Sequence, residues 1–197
     1  MNQPDIGPLL NARFFFAFAF NLFVTIVALH AKIRFGLSAP QIGLVFAYVG
    51  VLLVITQAIL VGRMVTRWGE PQLLLTMIVI TGLTLLGWAF APNVLIVLAV
   101  FAPMAISVGS FNTLINSALS KAVSPDEVGG MMGLSAALES FTRVFSPALG
   151  GYLLGSLGTW SPGVLGGVVL AVLALFTWRY FLREPHTSAV SVAERAQ

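Results

Sequence analysis

Two ionisable residues sit inside an apolar run that leaves almost no room for charge. Glu139 and Arg143 are four residues apart, acid first, within a stretch from Gly129 to Ser156 made mostly of Gly, Ala, Ser and aliphatic residues. On a helix this spacing puts both side chains on one face, a turn apart, where they can pair. Ionisable groups at membrane depth are costly and mark a functional position by default. Counted from Gly129 at 1.5 Å per residue, Glu139 lies about 15 Å deep and Arg143 about 21 Å. An adjacent arginine favours a charged carboxylate and desolvation a neutral one, and a carboxyl held between the two suits reversible protonation. Two readings stay open. Either Glu139 exchanges protons or binds a cation while Arg143 tunes it, or the pair neutralises itself and holds a bundle together.

Neutral polar residues recur in the other apolar runs: Asn21 and Thr25, Gln57, and Asn112 with Asn116 four residues on. Their spacing turns them to a bundle interior. Interhelical hydrogen bonding alone would account for each, but with the ion pair they suggest a polar seam. Enzyme chemistry has less support. The chain has no cysteine, which removes thiol nucleophiles, disulfides and Cys-based metal sites together. His30 and His186 are far apart, and no His-x-x-x-His or His-Glu-x-x-His spacing occurs. Gly133-Leu134-Ser135-Ala136-Ala137 is not a Gly-x-Ser-x-Gly elbow. His30 reads as a polar residue at the outer end of the first span. No cofactor, metal or catalytic residue is expected.

The elements that must carry these residues follow from composition. Of 197 residues, 58% are hydrophobic and 9% charged, against about 25% charged in soluble domains. So few charges cannot cover a water-facing surface, and the solvent must be lipid. A bilayer core needs roughly 20 apolar residues in a helix. Six stretches supply them, at about 12–32, 41–62, 72–91, 94–117, 129–156 and 162–182. Between them lie Gly36–Pro40, Arg67–Pro71, Pro92-Asn93, Ser124–Glu127 and Gly158–Pro162, each with the Gly, Pro or polar residues of a reversal. Barrel strands would alternate strictly, and runs such as Val51–Ile55 do not. The fold class is all-α, a polytopic membrane protein of six transmembrane helices.

The residues from Met1 to Asn11 lack the basic start of a signal peptide, so the first apolar run reads as the first span. With the N-terminus in the cytoplasm, Arg13, Arg63, Arg67, Lys121, Arg179, Arg183 and Arg195 all fall on that side, against Lys32 and Arg34 outside. That bias places both termini in the cytoplasm. The cations are scattered singly, so the net charge of +3 argues for no nucleic-acid partner. The tail 184–197 is polar and aperiodic, and is expected to be partly disordered. Gly129, Gly130, Gly133, Ser135, Gly150, Gly151 and Gly155 make the fifth span dense in small residues, which permits close helix packing. Pro103 and Pro147 are expected to bend their helices.

Three patterns then carry a resemblance. The turn after the second span reads Gly62-Arg63-Met64-Val65-Thr66-Arg67-Trp68-Gly69-Glu70. It resembles the Gly-x-x-x-Asp-Arg-x-Gly signature that major facilitator transporters carry between the second and third helices of each half. Gly62, Arg67 and Gly69 match, and Thr66 replaces the acid. Val123-Ser124-Pro125-Asp126-Glu127-Val128-Gly129-Gly130 is similar to the acidic loop and glycine-rich start of the eleventh helix in drug-efflux members. Arg143-Val144-Phe145-Ser146-Pro147-Ala148-Leu149-Gly150-Gly151 is similar to the Arg…Gly-Pro-x-x-Gly-Gly stretch of that helix, with Ser146 for the first glycine. In this order, residues 8–183 resemble the C-terminal six-helix half of a drug:proton antiporter-like member.

The resemblance implies two inverted three-helix repeats, alternating access, and proton-coupled efflux of a small solute across a bacterial inner membrane. The residues themselves offer Glu139 and Arg143 as the proton or ion-pair site and Asn21, Thr25, Gln57, Asn112 and Asn116 as its lining, and the matched motifs add loop and gating elements at Gly62, Arg63, Arg67, Gly69, Pro147, Gly150 and Gly151. Because the family encloses its site with two halves, the resemblance also implies a second half, supplied by a homodimer or a separate N-terminal half. The alternative is an orphan or truncated module that packs against a partner protein without transporting.

Overall fold

The computed structural model describes residues 6–179, which form six helical rods joined by short turns. They are α1 (Ile6–Phe35), α2 (Ala39–Trp68), α3 (Glu70–Ala89), α4 (Val94–Lys121), α5 (Val128–Leu157) and α6 (Ser161–Thr177). Four of them, α1 to α4, are long and apolar enough to cross a membrane. α5 has the length but is diluted by Glu139, Arg143 and its glycines, and α6 is apolar over 17 residues. The end of the sixth expected span and the tail 184–197, with Arg183, His186 and Arg195, lie outside the described residues.

Each reversal has a local cause. Gly36 closes α1 with a φ of 65°, a left-handed conformation that side chains resist. Ser38 and Gln41 then form a capping box that starts α2. Gly69 alone joins α2 to α3, at φ 77°. The Asn93 side chain accepts from Ile96 N at 3.0 Å and caps α4. Ser124 and Glu127 make a second capping box before α5. The bonds from the Ser124 hydroxyl and then its N–H hold the Glu127 carboxyl below the usual carboxylate range. α4 and α5 continue through Pro103 and Pro147.

α1 and α4 form the centre. α1 packs against α4, α5 and α6, and α4 against α1, α2, α3 and α5. Phe16 of α1 and Phe111 of α4 stack with ring centroids 3.6 Å apart, and Phe23 sits edge-on to Trp88 and Phe101. Such aromatic pairs add about 0.5–1.5 kcal/mol each beyond their buried area. Behind them α3 and α6 pack closely through glycine. A Cβ on Gly163 would come within 2.9 Å of Ala89 Cβ and 3.0 Å of the Leu85 carbonyl oxygen. α2 and α5 are peripheral: α2 buries Thr56 and Val61, and α5 buries Ser135, Thr142, Ser146 and Gly150.

The small residues of α5 therefore do not all serve packing within the chain. Gly150 meets Ile26 of α1, whereas Gly129, Gly130, Gly133, Gly151 and Gly155 face open space within 4 Å of where a Cβ would stand. The Gly150 contact is tight, at 2.7 Å to Ile26 Cδ1, and the other tight ones are in α6, where Gly163, Gly166 and Gly167 meet α3 and α1. The reason is positional. α5 touches the bundle along one narrow strip, while α6 lies between two helices.

Candidate functional site

The polar residues converge on one cleft between α1, α2, α4 and α5, of about 500 Å³. Its charged centre is a three-residue network. Glu139 of α5 accepts from Arg143 Nη2 at 2.6 Å through Oε1, and from Arg13 Nη2 of α1 through Oε2. Arg13 also donates from Nη1 to Asn112 Oδ1 on α4. One carboxylate thus holds two guanidinium groups, and one of these joins three helices. Arg13 is 93% buried by its 7% exposure, whereas the Arg143 side chain is 67% exposed. Removing the acid would strand a buried cation, a far larger cost than losing the exposed pair.

A neutral chain of hydrogen bonds fixes α5 against α1. Asn21 Nδ2 donates to Thr142 Oγ1 at 2.8 Å, and Thr142 Oγ1 donates to the Glu139 carbonyl at 2.7 Å. Thr25 donates to the Asn21 carbonyl one turn back, at 2.8 Å. Asn112 Nδ2 is tied to Val108 O at 3.0 Å, which leaves its oxygen for Arg13. Gln57 projects from a π-helical turn, Thr56–Leu60, inside α2. Such a wide turn re-aims the side chains around it and is frequent at functional sites. Thr56 is buried there against Gly109 of α4, while Gln57 lines the cleft.

Asn21, Thr25, Gln57, Asn112, Glu139 and Arg143 all line this space. Asn116 does not; it is exposed, a turn beyond the cleft on α4. Arg13, which the sequence places among the cytoplasmic-side cations, joins the network although the sequence reading did not assign it to the site. It lies two turns beyond Ile6, the first described residue of α1. Thr142 was also passed over.

The loop residues lie away from the cleft. Arg63 and Arg67 are exposed, Gly62 has open space beside it, and Gly69 makes the turn into α3. The next residue, Glu70, pairs with Lys121 Nζ at 2.5 Å and accepts from Ser117 Oγ at 3.3 Å, tying the start of α3 to the end of α4. Pro147 and Gly151 are exposed on α5, and Gly150 is buried against α1.

An all-helical bundle with an apolar exterior and a charged cleft between its helices is the architecture of a membrane-embedded transport module. The chain belongs to the Major Facilitator Superfamily, whose model matches residues 9–197. It is therefore a member of a transporter family and not an enzyme. It is 30% identical over 179 residues to solute carrier family 22 member 18 of Rattus norvegicus, covering 89% of this chain and 43% of that protein. It is 26% identical over 168 residues to the class H tetracycline resistance protein of Pasteurella multocida, covering 84% of this chain and 42% of that one. The crystal structure of the human organic anion transporter MFSD10 (TETRAN) superposes with a TM-score of 0.82 at 15% identity, over 89% of this chain and 42% of that one. The chain thus spans less than half the length of these relatives.

Proposed function

We propose that the chain is one half of a proton-coupled solute transporter working by alternating access, with Glu139 as the proton site. The observation that carries this is the Arg13–Glu139–Arg143 network in the wall of a polar cleft between apolar helices. A purely structural ion pair would be served by Arg13 and Glu139 alone. The second arginine is 67% exposed, so it adds little stability and leaves charge facing the cleft.

A second half closes the cleft, whether another copy, a separate chain or further residues of a longer protein. The exposed apolar residues of α2 and the open glycines of α5 supply a surface for it. The helix contacts support the inverted repeat. Exchanging α1–α3 with α4–α6 carries α1·α5 into α4·α2, α1·α6 into α4·α3 and α2·α3 into α5·α6. It leaves α1·α4 and α3·α6 unchanged, although α4·α5 has no counterpart as extensive. Consecutive rods reverse direction, so the exchange inverts the unit. Both ends of the bundle's chain lie on the cytoplasmic side, and export is the direction that fits the resistance protein among the relatives.

The test is Glu139→Gln in proteoliposomes, reading solute-dependent proton flux with an entrapped pH dye. The variant keeps an amide oxygen to accept from Arg13, so it should still insert, at reduced stability, and lose the flux. Unchanged coupling would sink the proton-site reading.

A further inference from the structure

We infer that the trough between α3 and α6 is a phospholipid site, holding one acyl chain of an anionic lipid of the cytoplasmic leaflet with its phosphate on Arg179. The inference rests on the orientation given above and not on the transport reading, since the trough shares no residue with the cleft. It has a volume of about 440 Å³, and only apolar residues line it. Its floor is built from glycine: a Cβ on Gly167 would stand 2.7 Å from Leu86 Cδ2 and 3.4 Å from the Gly82 carbonyl oxygen. Leu83 and Leu175 stand on its rims, 63% and 61% exposed.

Length and position select the occupant. From Leu75 to Leu86 on α3, and from Gly167 to Trp178 on α6, the trough runs about 17 Å at 1.5 Å per residue. One leaflet of a hydrocarbon core of about 30 Å is about 15 Å deep, so the trough is as long as one acyl layer. It also opens on a single leaflet. Towards the outer end the two helices close, where a Cβ on Gly163 would stand 2.9 Å from Ala89 Cβ and 3.0 Å from the Leu85 carbonyl oxygen. Towards the cytoplasmic end they leave room.

The charge at the mouth selects the headgroup. Trp178 lines the cytoplasmic end, and tryptophan favours the membrane interface. Arg179 comes next, four residues after Leu175, and so continues the same row of α6. It is exposed and has no ion pair among the described residues. Glu70, the acid at the same end of α3, is committed to Lys121. A cation so placed is drawn to the anionic lipids of the cytoplasmic surface, and the guanidinium fork suits a phosphate.

Native mass spectrometry of the full-length chain tests this, with the protein released from micelles holding equal amounts of palmitoyl-oleoyl phosphatidylglycerol and phosphatidylcholine. The chain should retain a single lipid and take the anionic one with about fivefold preference. Arg179→Gln should bring that ratio to about one while a lipid stays bound. Ala171→Phe fills the trough from an exposed position and should remove both lipids. Val172→Phe, on the side of α6 that faces α1, should change neither. All three positions are exposed, so the fold is kept. Equal retention of the two lipids, retention unmoved by Ala171→Phe, or a preference unmoved by Arg179→Gln overturns the inference. So does a lipid-free dimer that Ala171→Phe disrupts, since the trough is then an interface between copies of the chain.

Discussion

At the residue scale, the site is governed by unequal burial around one carboxylate. Arg13 is almost wholly enclosed and spends its donors on Glu139 and Asn112, so its cation depends on those partners. Glu139→Ala should lower the melting temperature in detergent by an amount equivalent to about 3 kcal/mol, the low end for a broken buried pair. Arg143→Ala should cost less than about 1 kcal/mol, because its pair is exposed. A thermal shift assay on both variants decides whether Arg13 or Arg143 is the structural partner. The sequence offered only half of this network. Glu139 and Arg143 are legible because they share a helix at a pairing interval, whereas Arg13 pairs across 126 positions and its place on α1 looks like a helix end.

At the element scale, glycine has two uses that sequence alone does not separate. In α6 it lets α3 approach: a Cβ on Gly166 would stand 3.0 Å from Leu85 Cδ1 and 3.2 Å from the Ala19 carbonyl. In α5 most glycines face nothing within the chain. Gly163→Val should destabilise by about 1–3 kcal/mol through overpacking, read as a lower melting temperature, while Gly151→Ala should be silent in that assay. The helix ends were easier to read. Gly36, Gly69, Asn93, Ser124 and Gly158 each stand at or beside a helix terminus, where capping and left-handed geometry select them. Facing direction is legible only where polar residues mark a side, as at Asn21, Gln57 and Asn112, because a run that is apolar all round has no preferred side. Asn116 shows the limit. It shares a helical interval with Asn112, yet only Asn112 is held in the cleft by Arg13.

At the scale of the whole molecule, the account joins a polar cleft to a missing wall. α2 buries 11% of its most apolar stretch, against 44 to 56% for α1, α3 and α4, so one flank of the bundle is left for lipid or for a second half. If the cleft is the transport route, water must reach Gln57 and Val24 from one side of the bilayer, while Val172 on α6 meets only lipid or protein. The most direct measurement is the labelling rate of single cysteines at these three positions with a membrane-impermeant maleimide, in a chain that has no cysteine of its own. The account predicts rapid labelling of Gln57→Cys and Val24→Cys, and almost none of Val172→Cys. Rates at Gln57 and Val24 as slow as at Val172 would contradict it, since the cleft would then be a dry seam holding helices together.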